Sequence, residues 1–278
     1  MNLLTAIFLG AIQGITEFLP VSSSGHLVLF QQIFHLKEAP LLFDTILHLG
    51  TLTAVCVVLW KDIWAILKRP FQRLTGLVIV ATIPTVILAL LFKKLIERAF
   101  ETGTFLGFGF LLTALVLLIA EKLAQAKATG PVKNVKDMRW TDAILVGTLQ
   151  GVAILPAVSR SGMTISGSLS RGLDRDFAAR FSFLMSIPAI LGAAVLQAKD
   201  LFGPSTLSSA GNAVPGGGLS AIGVGALVAG TLTAAVVGIV AVRFMLRVIR
   251  NNTLRGFALY TAILGVVVLV NQFALRLF

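Results

Sequence analysis

The sequence predicts an all-α polytopic membrane protein, with six transmembrane helices and two re-entrant helix pairs arranged as an inverted-topology repeat. Three observations support this fold class: the composition, a set of long apolar runs, and a repeated motif. Of the 278 residues, 56% are hydrophobic and only 13% are charged, and the mean hydropathy is +0.93. Because soluble domains carry about 25% charged residues, this composition is typical of a membrane protein.

Six apolar runs are long enough to cross a bilayer, which takes roughly 20 residues. They lie near residues 42–60, 74–92, 103–121, 177–198, 219–242 and 255–275. Two further apolar stretches, 3–36 and 141–173, are interrupted by serines and glycines near Pro20 and Pro156. Each half of these two stretches is too short to span, so we expect it to enter the membrane and return. Non-helical backbone at that depth is tolerated only inside protein or beside a wet cavity.

The basic residues predict which side of the membrane each connection faces. The predicted loops 61–73, 122–140 and 243–255 hold 13 of the 23 Lys and Arg residues, whereas the opposite loops 93–102 and 199–217 hold four. Because cytoplasmic loops are enriched in Lys and Arg, the three basic loops are predicted to be cytoplasmic. The same enrichment explains the net charge of +11, so no nucleic-acid partner is expected.

One motif occurs twice, 137 residues apart. AIFLGAIQGITEFLPVSSSG begins at Ala6, and AILVGTLQGVAILPAVSRSG begins at Ala143. Each copy precedes three predicted spans, and because three is odd, the second copy enters the membrane from the opposite side. Inverted repeats of this kind bring their broken helices together near the midplane. The predicted organisation is a single membrane domain, 1–278, with a first inverted repeat at 1–122, a cytoplasmic linker at 123–140 and a second inverted repeat at 141–278.

The serine clusters after Pro20 and Pro156 predict a site for an anion. Each cluster is typical of a serine N-cap followed by a short helix. Two such helix N-termini, approaching from opposite leaflets, would offer free backbone N–H groups and the positive ends of two dipoles, which suit a phosphate. Arg160 in the second cluster adds a fixed charge and a planar fork of donors. Serines that only cap helices are the alternative interpretation.

The two copies differ at positions that could perform acid–base chemistry. Glu17 stands where the second copy has Ile154, and His26 stands where it has Met163. Burying a carboxylate in a membrane is expensive, so Glu17 is a candidate functional residue, with a structural ion pair to Arg160 as the alternative. A divalent cation between Glu17 and a phosphate would remove their repulsion and would receive the oxygen ligands that Mg²⁺ prefers.

The residues leave the chemical step open. Ser23 could attack phosphorus with His26 as the base, or His26 could activate a water or protonate the leaving group. A protein of another class, a carrier that flips an isoprenoid phosphate or moves an anion, would also use inverted repeats. Glu17 and His26 favour hydrolysis, because a carrier has little need of a metal-binding carboxylate beside a base. For His48, a hydrogen bond across helices and a role in the site both stay open.

QGITEFLPVSSSGH and LPAVSRSGMTISG closely resemble the two signature motifs of the undecaprenyl-diphosphate phosphatases, the bacitracin-resistance proteins. FDTILHLGTLTAV and RFSFLMSIPAILGA are also similar to segments of that family, so the resemblance covers nearly the whole chain. One departure is Ala157, where the family motif usually has Gly. The resemblance implies hydrolysis of undecaprenyl diphosphate to undecaprenyl phosphate, which recycles the lipid carrier of peptidoglycan synthesis, and dependence on Mg²⁺ or Ca²⁺.

The same resemblance assigns residues and a location. It implies catalytic roles for Glu17, Ser23, His26 and Arg160, with Glu17 also a metal ligand. Substrate binding is expected from six further polar residues of the two motifs, which are Gln13, Ser22, Ser24, Ser159, Ser161 and Thr164. We therefore expect a multi-pass protein of the bacterial plasma membrane, in contact with membrane lipids, with its active site open toward the periplasmic side. Formation of a homodimer is left open.

Overall fold

The computed structural model describes residues 1–34, 41–127, 132–202 and 223–275, and within these ranges the chain forms twelve α-helices. Their bounds are α1 Leu3–Thr16, α2 Ser23–Ile33, α3 Leu41–Val58, α4 Trp60–Lys68, α5 Arg73–Leu91, α6 Lys93–Thr102, α7 Leu106–Ala126, α8 Trp140–Val152, α9 Arg160–Ser170, α10 Arg175–Phe202, α11 Val224–Asn251 and α12 Arg255–Val270, which a π-helical turn extends over Asn271–Leu275. The predicted loop 199–217 is helical as far as Phe202, and its remainder lies outside the described residues.

Within the described ranges, five helices are long and apolar enough to cross a membrane: α5, α7, α10, α11 and α12. The pair α3 and α4 is a sixth candidate, bent by 80° where the two helices meet. The six predicted spans each coincide with one of these elements, and the chain is a multi-pass α-helical membrane protein.

Three of the predicted loops are wrong, because they are largely helical. The predicted span 219–242 continues as α11 to Asn251. In this extension Arg243 and Arg247 lie on the exposed face of the helix, and Met245 on the opposite face is fully buried, so the extra turns still pack against the protein. Arginine is a good helix former, so a run of arginines with this spacing does not end a helix. The predicted loops 61–73 and 93–102 likewise contain α4 and α6, short helices with one apolar and one charged face.

The two broken stretches form short helices that end inside the protein. Helices α1, α2, α8 and α9 have 14, 11, 13 and 11 residues, so each is about 17–21 Å long, less than the ~30 Å hydrocarbon core. The predicted serine caps are confirmed. The Ser22 hydroxyl accepts from the Gly25 N–H at 3.4 Å, and the Ser159 hydroxyl accepts from the Gly162 N–H at 3.0 Å.

Two equivalent glycines let the broken helices pack closely against spans of the other half. Helix α1 packs against α11, and a methyl group on Gly10 would lie 2.3 Å from the carbonyl oxygen of Gly230. Helix α8 packs against α5, and a methyl group on Gly147 would lie 1.9 Å from the carbonyl oxygen of Ala81. Both distances are shorter than any van der Waals contact. Glycine is therefore required at both positions, which recur 137 residues apart.

The start of α8 is fixed by a buried carboxylate. Asp142 is fully buried, and its oxygens accept from Arg171 Nε at 2.6 Å and from Lys133 Nζ at 3.1 Å. Burial raises the pKa of Asp142, but hydrogen bonds from Arg171, the Arg139 backbone N–H and Lys133 outweigh that effect and hold the pKa below its ordinary value. Asp142 thus ties α8 to the connecting segment before it and to the end of α9.

Candidate active site

The two breaks meet, and their contact joins Glu17 to Arg160. Glu17 directly follows α1, and Arg160 is the first residue of α9. The Arg160 Nη2 donates to Glu17 Oε1 in an ion pair whose side chains are 15% and 5% exposed. A second bond links the breaks, because the Ser161 hydroxyl donates to the Leu19 carbonyl oxygen at 2.9 Å. Glu17 and Arg160, which the sequence predicted to share one site, therefore lie together.

The Glu17 carboxylate accepts hydrogen bonds from two further side chains. Its Oε2 accepts from the Ser23 hydroxyl at 2.6 Å and from the Gln13 side-chain amide at 3.0 Å. His48 Nε2 lies 3.5 Å from the same oxygen. A carboxylate in an apolar interior needs such partners to remain charged. The site thus places the Glu17 carboxyl group in direct contact with a serine hydroxyl and a guanidinium.

The described hydrogen bonds join Ser23 to Glu17, and His26 to different partners. His26 Nδ1 lies 2.7 Å from the carbonyl oxygen of Ser22, and Nε2 lies 2.7 Å from the hydroxyl of Tyr260. Among the described hydrogen bonds, the Ser23 hydroxyl therefore donates to the Glu17 carboxylate. The sequence placed Ser23 and His26 on one helix face, but that spacing does not reveal which acceptor each residue has.

The other predicted binding residues divide into two groups. The hydroxyls of Ser22 and Ser24 lie 3.3 Å apart, and those of Ser159 and Ser161 lie 3.2 Å apart, so each cap carries a pair of hydroxyls. Thr164 is fully buried one turn further along α9, where its hydroxyl contacts the Arg160 carbonyl oxygen at 2.9 Å and the Ser182 hydroxyl at 2.6 Å. The described contacts of Thr164 therefore join the α9 backbone to Ser182 of α10.

Two buried polar atoms beside Glu17 have no hydrogen-bond partner among the described residues. They are Nη1 of Arg160 and Oε1 of Gln13, each belonging to a group whose other end contacts Glu17. Buried polar atoms are nearly always paired, because an unpaired one costs about 1–3 kcal/mol. An unpaired donor and an unpaired acceptor at one carboxylate are what a bound anion and a bound cation would satisfy.

The sequence predicted no contact for Tyr260, and for His48 it left two alternatives open. Tyr260 is the only tyrosine in the chain and lies 234 residues from its partner His26. A lone phenol in an apolar span was the available signal, but its partner depends on how α12 packs. His48 was expected to bond across helices or to join the site. Its Nε2 faces Glu17, and its Nδ1 bonds the backbone carbonyl of Asp44 at 2.7 Å.

Ala157, the departure from the family motif, has a left-handed backbone with φ of 60°. A side chain in this region costs about 1 kcal/mol relative to glycine, which explains why glycine suits the position. Ala157 is fully buried, and its carbonyl oxygen accepts from the Thr113 hydroxyl at 3.3 Å. Thr113 also accepts from the Ser159 N–H at 3.0 Å, so its hydroxyl connects this turn to α7.

A cavity of about 610 Å³ adjoins the first break. One wall is the end of α1 and the residues that follow it, including Leu19 and Val21. The other wall is the end of α11 and the start of α12, including Phe257 and Tyr260. Most of the lining is apolar, so this space suits hydrocarbon better than a free ion.

Fold and site together define an integral membrane protein that encloses an acid–guanidinium pair between two serine-capped helix breaks. Over residues 6–267 the chain matches the family model described as Bacitracin resistance protein BacA. It belongs to that family, and the resemblance drawn from the motifs is confirmed.

Relatives from distant organisms match over almost their full length. An undecaprenyl-diphosphatase of Carboxydothermus hydrogenoformans is 47% identical over 274 residues, covering 99% of each chain. The undecaprenyl-diphosphatase 4 of Bacillus thuringiensis subsp. konkukian is 44% identical and covers 98% of each chain. An undecaprenyl-diphosphatase of Methanosphaera stadtmanae is 38% identical, covering 97% of this chain and 98% of its own.

Proposed function

We propose that this protein is an integral-membrane phosphatase that hydrolyses undecaprenyl diphosphate to undecaprenyl phosphate and inorganic phosphate, recycling the lipid carrier of peptidoglycan synthesis. The observation that carries the proposal is the buried contact between Glu17 and Arg160, with Arg160 Nη1 left unpaired. Family membership and the names of the relatives support the same reaction. They favour a hydrolase over the alternative of an isoprenoid-phosphate flippase or anion carrier.

Arg160 is the proposed anchor of the diphosphate. A guanidinium presents its N–H donors in one plane, in a geometry that matches phosphate oxygens. Nη1 of Arg160 has no hydrogen-bond partner among the described residues, so it can donate to a phosphate oxygen. Arg160 is also the first residue of α9, where the helix dipole favours negative charge. The hydroxyls of Ser24 and Ser161 flank the two helix starts and are the proposed supporting contacts.

Ser23 is the proposed nucleophile, with Glu17 as the acceptor of its proton. In this step Ser23 Oγ bonds to the terminal phosphorus, the bond to the bridging oxygen breaks, and undecaprenyl phosphate leaves. Water then hydrolyses the phosphoserine and releases phosphate. The 2.6 Å hydrogen bond from Ser23 to Glu17 supports this assignment. When Arg160 turns toward the phosphate, Glu17 loses cationic stabilisation and becomes a stronger base.

A divalent cation, Mg²⁺ or Ca²⁺, fits this site only if the substrate supplies part of its ligands. Among the described residues no three His, Cys, Asp or Glu side chains are grouped so as to hold a metal. The groups that would hold it are the Glu17 carboxylate and Gln13 Oε1, which has no hydrogen-bond partner among the described residues. Mg²⁺ is commonly bound by one or two carboxylates plus substrate phosphates. When bound, it would neutralise charge on the phosphoryl oxygens.

The proposed architecture is two inverted repeats, 1–122 and 141–278, joined by a cytoplasmic linker at 123–140. The pairs α1–α2 and α8–α9 are the proposed re-entrant elements. Reciprocal packing supports this arrangement, because α1 contacts α11 while its counterpart α8 contacts α5. With the basic segments cytoplasmic, α1 and α2 enter from the periplasmic side of the plasma membrane. The family resemblance implies that the active site opens toward that side.

The test is phosphate release from undecaprenyl diphosphate by the purified protein, with and without EDTA. We expect turnover that EDTA abolishes and that added Mg²⁺ or Ca²⁺ restores. Brief reaction followed by acid quenching should trap phosphate on Ser23, detectable by mass spectrometry. Transport of undecaprenyl phosphate across liposomes without any phosphate release would refute the proposal in favour of a carrier.

A further inference from the structure

His26 has a polar partner at each ring nitrogen, and the two partners define its tautomer. The Ser22 carbonyl oxygen beside Nδ1 can only accept, so Nδ1 carries the proton of the neutral ring. Nε2 is then an acceptor, and the Tyr260 hydroxyl at 2.7 Å must be its donor. The contact with Tyr260 therefore occupies the lone pair through which His26 could act as a base.

The rings around His26 leave it few alternative orientations. The Tyr260 ring lies within 9° of parallel to the imidazole, with centroids 5.7 Å apart. Phe110 meets the imidazole edge-on at 85°, with centroids 5.4 Å apart. His26 is only 3% exposed, so without the Tyr260 hydroxyl its Nε2 would be a buried polar atom without its described partner.

Tyr260 stands between His26 and the cavity. About half of its surface is exposed, and its ring lines the cavity together with Phe257 and with Leu19 and Val21 of the first break. A phenol can both donate and accept a hydrogen bond, whereas a backbone carbonyl can only accept. Tyr260 is therefore the partner of His26 that can change its role when the charge of the imidazole changes.

We propose that Tyr260 is a positioning residue for His26. Its hydroxyl donates to Nε2 when the imidazole is neutral and accepts from Nε2–H when the imidazole is protonated. The hydroxyl hydrogen rotates to suit each state, so the imidazole keeps the same orientation in both. The inference rests on the phosphatase function proposed above and on the expectation from the sequence that His26 activates a water or protonates the leaving group.

The test compares Tyr260→Phe, which removes only the hydroxyl, with Phe257→Leu, which alters the same cavity wall. Two experiments are done on each protein. Phosphate release gives kcat and KM, and NMR gives the ¹⁵N chemical shifts of the histidine side chains. The chain has three histidines, and His26→Gln identifies the signals of His26. In Tyr260→Phe we expect kcat to fall about tenfold, about 1.4 kcal/mol of barrier. KM should stay within about twofold of wild type.

The ¹⁵N spectrum reports the hydrogen bond between Tyr260 and His26 directly, whereas a fall in kcat without a change in KM separates positioning from a merely structural role. Wild type should show His26 protonated at Nδ1, and Tyr260→Phe should move the Nε2 resonance while Phe257→Leu leaves it in place. An unchanged kcat, an unchanged Nε2 resonance, or an equal loss of kcat in Phe257→Leu would each overturn the proposal. If wild type releases no phosphate, the proposed function fails, whereas the ¹⁵N spectra still decide whether Tyr260 holds His26.

Discussion

Removing the guanidinium of Arg160 should damage stability and turnover by separable mechanisms. In Arg160→Ala, Glu17 stays 6% exposed and loses its cationic partner. Leaving one member of a buried ion pair alone costs about 3–5 kcal/mol. The bonds from Ser23 and Gln13 remain, so we expect the lower end, about 3 kcal/mol. Turnover should fall at least a hundredfold, about 2.7 kcal/mol of barrier, because the phosphate loses its anchor.

The double variant Glu17→Gln with Arg160→Met separates the two effects. Both charges are gone, so no unpaired charge is buried, and the apparent Tm should return to within a few degrees of wild type. Turnover should be no higher than in the single variant, because Glu17→Gln also removes the proposed acceptor of the Ser23 proton. The control is Arg247→Ala, which removes an exposed arginine of α11.

The assays are thermal unfolding in detergent and phosphate release from undecaprenyl diphosphate. A double variant as unstable as Arg160→Ala would refute the argument that an uncompensated charge is the cause. Turnover like that of wild type in Arg160→Ala would remove Arg160 from the site. A loss as large in Arg247→Ala would mean that the assay reports general sensitivity to the loss of an arginine.

Three other predictions follow from the described contacts. Ser23→Ala should abolish the trapped phosphoprotein and lower turnover at least a hundredfold, and a signal that persists in that variant would exclude Ser23 as its carrier. Gly10→Ala should lower the free energy of unfolding by about 1–3 kcal/mol, because its methyl would meet the Gly230 carbonyl at 2.3 Å, whereas Gly256→Ala, with open space around it, should be tolerated. Asp142 stabilises the fold above its unfolded pKa of about 3.9 and loses this contribution as pH falls through its lower folded pKa. Unfolding measured from pH 5 downward, roughly to pH 3, should show a smaller acid loss in Asp142→Asn than in wild type, and equal slopes would contradict this reasoning.

Much of the candidate site could be predicted because its signals are local. A serine followed by a short helix predicts a cap, and Ser22 and Ser159 are such caps. A carboxylate in an apolar run needs a partner, and the repeat pointed to Arg160. The acceptor of Ser23 could not be predicted, because Glu17 and His26 are both near it in sequence. Their choice depends on how the chain turns between α1 and α2, where Ser22 has φ of 72°.

The sequence by itself determined the membrane class, the positions of the spans, the two breaks and the residues that cap them. These follow from hydrophobicity over about 20 residues and from hydrogen bonds between near neighbours, both of which a linear pattern contains. Only the tertiary structure decided that Tyr260 bonds His26, that His48 faces Glu17, and that Arg160 keeps one nitrogen free. Such contacts join distant helices, whose register depends on close packing at Gly10 and Gly147, and no local pattern encodes that register.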